Sequence, residues 1–189
     1  MMNVIRINST SPEESAVMTT AEILKKGGII VYPTDTVYGI GCMIETPSVE
    51  RIFQIKKKPR SPLSVAFSDV ESAEKFVYMS GQQRAFIEEH QNEPYTFILK
   101  AKDNVPERVA SGTLGIRIPD CLFVRKITKL AGPIITTSAN THRGPPPSDF
   151  AEIEKGILAS ADLAIDGGRC KFGRPSRIID LTTNEVLRE

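Results

Sequence analysis

The chain has no tryptophan, and aromatic residues make up only 6% of its 189 residues. A broad surface that stacks exposed bases on aromatic rings is therefore disfavoured. Its three cysteines, Cys42, Cys121 and Cys170, are odd in number and form no CxxC pair. Neither a disulfide framework nor a zinc site fits that spacing, and a reducing compartment does. His90 and His142 lie far apart, without metal-ligand spacing. Lys and Arg total 24 against 23 Asp and Glu, a formal net charge of +1, so any cationic site is local rather than a property of the whole surface. No apolar run approaches the ~18 residues of a membrane-spanning helix, and the first residues carry no basic-then-apolar leader, so the chain is expected in the cytoplasm with no membrane partner. The sequence also lacks GxxxxGK[ST], a complete GxGxxG and a GxSxG elbow, which excludes a P-loop and disfavours nucleophilic hydrolysis.

What is present is an ordinary globular composition, 40% hydrophobic and 25% charged, in a length that fits one domain over 1–189. Ser11-Pro12-Glu13-Glu14 reads as a helix start with Ser11 as cap, and Gly27-Gly28 as its end. Ile29-Ile30-Val31-Tyr32 then forms a continuous apolar run, the pattern of a strand covered on both faces. Further helices are expected near 47–55, 68–77, 82–89, 121–130 and 149–159. Strands are expected at 63–67, 95–99, 114–118, 134–137, 163–165 and 177–181. Helices alternating with strands predict an α/β fold, with an open, twisted, mixed sheet under helices.

Polar clusters follow the strands, where open α/β sheets place their ligands. Pro33-Thr34-Asp35-Thr36-Val37-Tyr38-Gly39-Ile40-Gly41 joins hydroxyls, a carboxylate and two glycines that would allow close backbone approach to a ligand. It reads equally as a polar turn with an aromatic anchor. Lys56-Lys57-Lys58-Pro59-Arg60 suits a phosphate, or a solvated helix end. Thr136-Thr137-Ser138-Ala139-Asn140 offers hydroxyls and an amide to a nucleotide, or caps a turn. Phe172-Gly173-Arg174-Pro175-Ser176-Arg177 reads as a phosphate-holding loop or as a connection with exposed arginines.

The order of these clusters resembles the YrdC family, the L-threonylcarbamoyl-AMP synthases. The PT[DE]TVYGLG segment of that family matches 33–41, its KxR pair 56–58, and its SxN motif Ser138-Ala139-Asn140. Its GxR-P segment matches Gly115-Ile116-Arg117-Ile118-Pro119, its FGxPS loop 172–176, and its closing LR Leu187-Arg188. The resemblance spans nearly the whole chain. It implies a deep concave cleft and a reaction joining L-threonine, bicarbonate and ATP into threonylcarbamoyl-AMP, with pyrophosphate released. A separate threonylcarbamoyl transferase complex would then act on tRNA. By position Thr36, Arg117 and Ser176 would touch threonine, with Arg117 on its carboxylate. Lys56, Lys58, Arg60, Thr113, Ser138, Asn140, Ser148 and Arg188 would line the ATP side, and Lys56 and Arg117 would be the catalytic cations. Mg²⁺ would arrive with ATP, since no acidic cluster supplies a cage.

Two departures stand out. The KxR arginine falls on Lys58, or on Arg60 if the motif slides, and lysine cannot copy a bidentate guanidinium contact. The family's WPGPxT stretch is replaced by Asn92-Glu93-Pro94-Tyr95-Thr96, which resembles the YciO branch. Two rival functions share the same residues. One is a non-catalytic protein binding double-stranded RNA or tRNA directly; the other is a carbamoyl or acyl transferase with a different amine acceptor.

Overall fold

The apolar run after Gly28 forms strand β2 (Ile30–Tyr32), all of it buried. Its side chains divide two hydrophobic layers, as the alternation of a strand requires. Ile30 and Tyr32 pack with Val17 and Leu24 of helix α1 (Glu14–Lys25) and with Phe123, Val124 and Ile127 of α5 (Leu122–Ala131). Ile29 and Val31 face the other layer, built from α2 (Ser48–Ile55), α3 (Val70–Glu74), α4 (Gly81–His90) and α6 (Lys155–Ser160). This is a computed structural model that describes residues 3–57, 59 and 61–189. Lys58 and Arg60 lie outside the described residues.

The remaining strands are β1 (Val4–Arg6), β3 (Gly39–Gly41), β4 (Ser64–Ala66), β5 (Tyr95–Lys100), β6 (Thr113–Arg117), β7 (Ile134–Ser138), β8 (Leu163–Asp166), β9 (Arg177–Asp180) and β10 (Glu185–Arg188). Among the described residues they form one sheet in the order β1-β8-β2-β3-β7-β4-β6-β5-β9-β10. Pairing is parallel for β1 with β8, β2 with β8, β4 with β6 and β5 with β9, and antiparallel elsewhere. The mixed α/β sheet expected from the sequence is the one observed.

Several local expectations give way. Helix α1 starts at Glu14, and Ser11 does not cap it. The Asn8 carboxamide instead accepts the N–H groups of Thr10 at 3.0 Å and Ser11 at 3.2 Å, forming a turn ahead of the helix. The helix foreseen at 149–159 is split by Ile153, which is extended at φ −72° and ψ 129°. A 3₁₀ turn (Phe150–Glu152) and α6 lie on either side of the break. There the Glu152 carboxylate takes the N–H of Ser148 at 2.7 Å and of Asp149 at 3.2 Å, which closes the first turn on itself.

The segment holding Gly39 and Gly41, read either as an approach to a ligand or as a polar turn, is strand β3. It pairs antiparallel with β2 through Ile40 and Val31, and with β7 through Ile40 and Thr137. A Cβ on Gly41 would stand 2.0 Å from the Ile135 carbonyl oxygen, and one on Gly39 would stand 3.1 Å from the Tyr32 ring. Glycine at 41 thus allows strands to meet; the close approach is to protein, not to a ligand. Burial pushes the thiols of Cys42 and Cys121 up to about 11 and that of Cys170 up to about 12, and all three are free. Among the described residues no helix is long and apolar enough to cross a membrane.

Candidate active site

Loops and strand ends from eight stretches of the chain line a cavity of about 220 Å³. The turn after β2 supplies Thr34 and Thr36, β5 supplies Thr96, and the end of β6 supplies Arg117. The end of β7 brings Thr136 and Ser138, the loop before β9 brings Ser176, and β10 brings Arg188. This space is smaller than the ~300–1,000 Å³ that holds a drug-sized ligand. A space of that size would hold a molecule of amino-acid size, and a nucleotide would extend past it.

The turn after β2 is wired by one hydroxyl. Thr34 Oγ1 donates to the Val37 carbonyl at 2.7 Å and accepts the N–H groups of Thr36 at 3.1 Å and Val37 at 3.3 Å. Its single proton is spent, so the 3.0 Å contact with Thr36 Oγ1 has Thr36 as donor. The lone pairs of Thr36 remain for a ligand donor, an ammonium or a hydroxyl.

Other residues that line the cavity are donors. Arg117 is buried and its Nη2 donates to Asp35 Oδ1 at 2.6 Å. Arg188 reaches over from β10 and donates to the Ser176 carbonyl, from Nε at 2.8 Å and from Nη2 at 2.6 Å, and to Ser176 Oγ at 3.1 Å. Partial burial and then the nearby charge of Arg117 lower the pKa of Arg188. Ser176 Oγ lies 2.8 Å from Thr96 Oγ1. Whichever of the two donates, the other keeps a proton for an anionic oxygen.

At the mouth, the turn after β7 is gathered by Lys56. Its ammonium donates to the carbonyl oxygens of Ser138 and Asn140, the latter at 2.8 Å, and to Asn140 Oδ1 at 3.2 Å. Ser138 Oγ donates to Asn140 Oδ1 at 2.5 Å, and Asn140 Nδ2 donates to the Gly144 carbonyl. The Lys-Ser-Asn set is therefore a single hydrogen-bonded unit beside the cavity.

The sequence profile of Sua5, YciO and YrdC, described as telomere recombination, matches residues 22–189. The chain belongs to the Sua5/YciO/YrdC family. A protein of Methanocaldococcus jannaschii named as a putative threonylcarbamoyl-AMP synthase is 34% identical over 190 residues, covering 97% of this chain and 90% of the relative. The crystal structure of YciO from Escherichia coli superposes with a TM-score of 0.90 at 30% identity, over 100% of this chain and 96% of the other. Sua5 of Pyrococcus abyssi, solved in complex with L-threonine, superposes with a TM-score of 0.89 at 26% identity. That match covers 95% of this chain, which spans only 54% of the Sua5 chain.

Within this Sua5/YciO/YrdC fold, the residues singled out from sequence fall into three groups. Thr36, Arg117, Ser138, Ser176 and Arg188 line the one cavity, and Lys56 and Asn140 are bonded to its rim. Arg188 stands beside Ser176 and Arg117, the residues assigned to threonine, rather than beside Lys56. Thr113 and Ser148 do not line it. Thr113 pairs with Lys100 at the far end of β6 from Arg117. Ser148 gives its hydroxyl to Glu152 at 3.1 Å. Sequence reasoning missed the parts of Thr96 and Asp35. Thr96 ends the altered Asn92–Thr96 stretch and Asp35 sits inside the first motif, so position marked both, but their partners 80 or more residues away did not show.

Among the described residues no group of three or more His, Cys, Asp or Glu could hold a metal ion. No described carboxylate lines the cavity either. That donor set does not fit a magnesium ion caged by the protein, since Mg²⁺ is held through carboxylates or substrate phosphates.

Proposed function

We propose that this protein is a threonylcarbamoyl-AMP synthase, a nucleotidyltransferase that joins L-threonine, bicarbonate and ATP. The observation that carries the reading is the cavity's polarity. An acceptor, Thr36, shares a space of amino-acid size with donors from Arg117, the Thr96–Ser176 pair and Arg188. The relative named as a putative threonylcarbamoyl-AMP synthase and the Sua5 structure holding L-threonine support the same choice.

In this reading the threonine hydroxyl or nitrogen gives its proton toward Thr36, and its carboxylate lies against Arg117 and the free proton of the Thr96–Ser176 pair. The threonine nitrogen condenses with bicarbonate, losing water, to give a carbamate. A carbamate oxygen then attacks the α-phosphorus of ATP; the bond to the β-phosphate breaks, and pyrophosphate leaves with the electron pair. The chain's contribution is orientation and charge, the terms that dominate such transfers. Lys56 fixes Ser138 and Asn140, whose groups would face the nucleotide side. Any Mg²⁺ is carried by the triphosphate as part of the substrate. The adenylate would pass to a transferase complex that modifies tRNA, and the site of action would be the cytoplasm.

The test is pyrophosphate release by the purified protein with ATP, Mg²⁺, bicarbonate and L-threonine, omitting each in turn. Release is expected only with the full set, and replacing L-threonine by L-serine should cut the rate about tenfold, the scale of one missing methyl. Equal release without an amino acid would overturn the synthase reading. No release, together with salt-sensitive binding of double-stranded RNA, would favour the non-catalytic alternative.

A further inference from the structure

Asp35 is bonded to a cationic group of the cavity without lining the cavity itself. Its side chain is fully buried behind Arg117, 2.6 Å from one guanidinium nitrogen. The backbone around it is tied down. The Asp35 carbonyl accepts the N–H of Phe172 at 2.7 Å, and Thr34 wires the turn that follows.

A buried ion pair of this kind adds little net stability, because desolvating both charges offsets their attraction. The pair is also incompletely bonded: Asp35 Oδ2 and Arg117 Nε are buried with no hydrogen-bond partner among the described residues. A pair kept for rigidity of the fold alone would be expected to satisfy those atoms. What the arrangement does provide is a guanidinium held through Nη2 by a buried carboxylate, on a residue that lines the cavity. It also places a negative charge against Arg117, which shares the cavity with a second arginine, Arg188.

Building on the threonine reading above, we infer that Asp35 is the positioning residue for Arg117. It fixes the plane of the guanidinium that grips the amino-acid carboxylate. It touches neither substrate. Its effect on the amino acid is transmitted entirely through Arg117.

A double-mutant cycle tests this, with threonine and ATP requirements measured for the wild type, Asp35→Asn, Arg117→Ala and the double variant. Asp35→Asn should raise the threonine requirement about tenfold and the ATP requirement less than about threefold. Adding Asp35→Asn to Arg117→Ala should change neither, since residues acting through one contact are not additive. Multiplied effects in the double variant, or an unchanged threonine requirement in Asp35→Asn, would overturn the inference. If Asp35→Asn does not fold, Asp35→Glu serves: its extra methylene displaces the guanidinium and should also raise the threonine requirement, and no change overturns it. A substrate-free readout separates this inference from the synthase reading. In protein with ¹⁵N-labelled arginine, the Arg117 side-chain signals should show slowed rotation that Asp35→Asn removes. If that holds while the wild type makes no use of threonine, the substrate assignment fails and the positioning role stands. If the rotation is the same in both proteins, the positioning role fails.

Discussion

Gly41 and Gly156 are both glycines inside regular elements, and the physics asks opposite things of them. At Gly41 an added methyl would lie 2.0 Å from the Ile135 carbonyl oxygen, a backbone atom that cannot step aside without parting β3 from β7. Gly41→Ala should cost about 1–3 kcal/mol or more, the overpacking range, read from denaturant unfolding. Gly156 lies in α6, and an added methyl there would meet nothing within 4 Å. Gly156→Ala should therefore stabilise by about 0.5–1 kcal/mol, because alanine loses less freedom in a helix. A neutral Gly41→Ala would mean that β3 does not sit where the pairing with β7 puts it. From sequence, the 33–41 segment was legible as a ligand stretch or a polar turn, and its glycines divide: Gly39 lines the cavity, whereas Gly41 makes room for β7. Glycine records that something comes close and is silent about what it is. The same holds for Asp35 and Thr96, whose chemistry depends on groups brought in by the fold.

Among elements, the turn after β7 shows how the site is held. Lys56 grips it from the end of α2, and Glu154, just before α6, accepts the Thr141 N–H and hydroxyl, each at 2.9 Å. The Thr141 N–H, then its hydroxyl, draws the Glu154 pKa below its ordinary 4.5. A carboxylate with a lowered folded pKa stabilises above the ordinary value, and that contribution disappears as pH falls through the folded one. The Thr141 amide resonance should therefore shift as the solution is acidified below about pH 4.5. In Glu154→Gln the shift should be absent; a shift that persisted would assign the titration to another group. The alternation of helices and strands was readable because each long apolar segment carries its own period. Strands β1 and β10 were not, since they are short and lie at the sheet edges, and β10 has all four residues exposed. The break at Ile153 was hidden because Glu152 and Asp149 bond locally in a way that composition does not reveal.

For the whole molecule, the cavity couples parts of the sheet that are far apart along the chain. Thr36, Arg117, Ser138, Ser176 and Arg188 share it only when both halves of the sheet are in register. A ligand that binds there favours the folded state over every partly unfolded one. L-threonine at about 100 times its Kd should add about 2.7 kcal/mol. At ~2–4 °C per kcal/mol for a chain of this size, that raises the melting temperature by about 5–10 °C. Thermal melts with increasing L-threonine would show this, and a flat response would argue against an amino acid in the cavity. The clustering itself was foreshadowed by polar residues following strands, but the membership was not: Thr113 and Ser148 stayed outside, and Thr96 came in.

Arg188 closes the cavity from β10, and this has a consequence for synthesis. Ribosomes deliver the chain from one end, and Thr36 and its wired turn can form long before Arg188 emerges. A nascent chain short of that residue has the Thr36 hydroxyl without the guanidinium that spans Ser176. The cavity is thus complete only once translation has passed position 188, and a chain cut short before it lacks one of the donors that line the space.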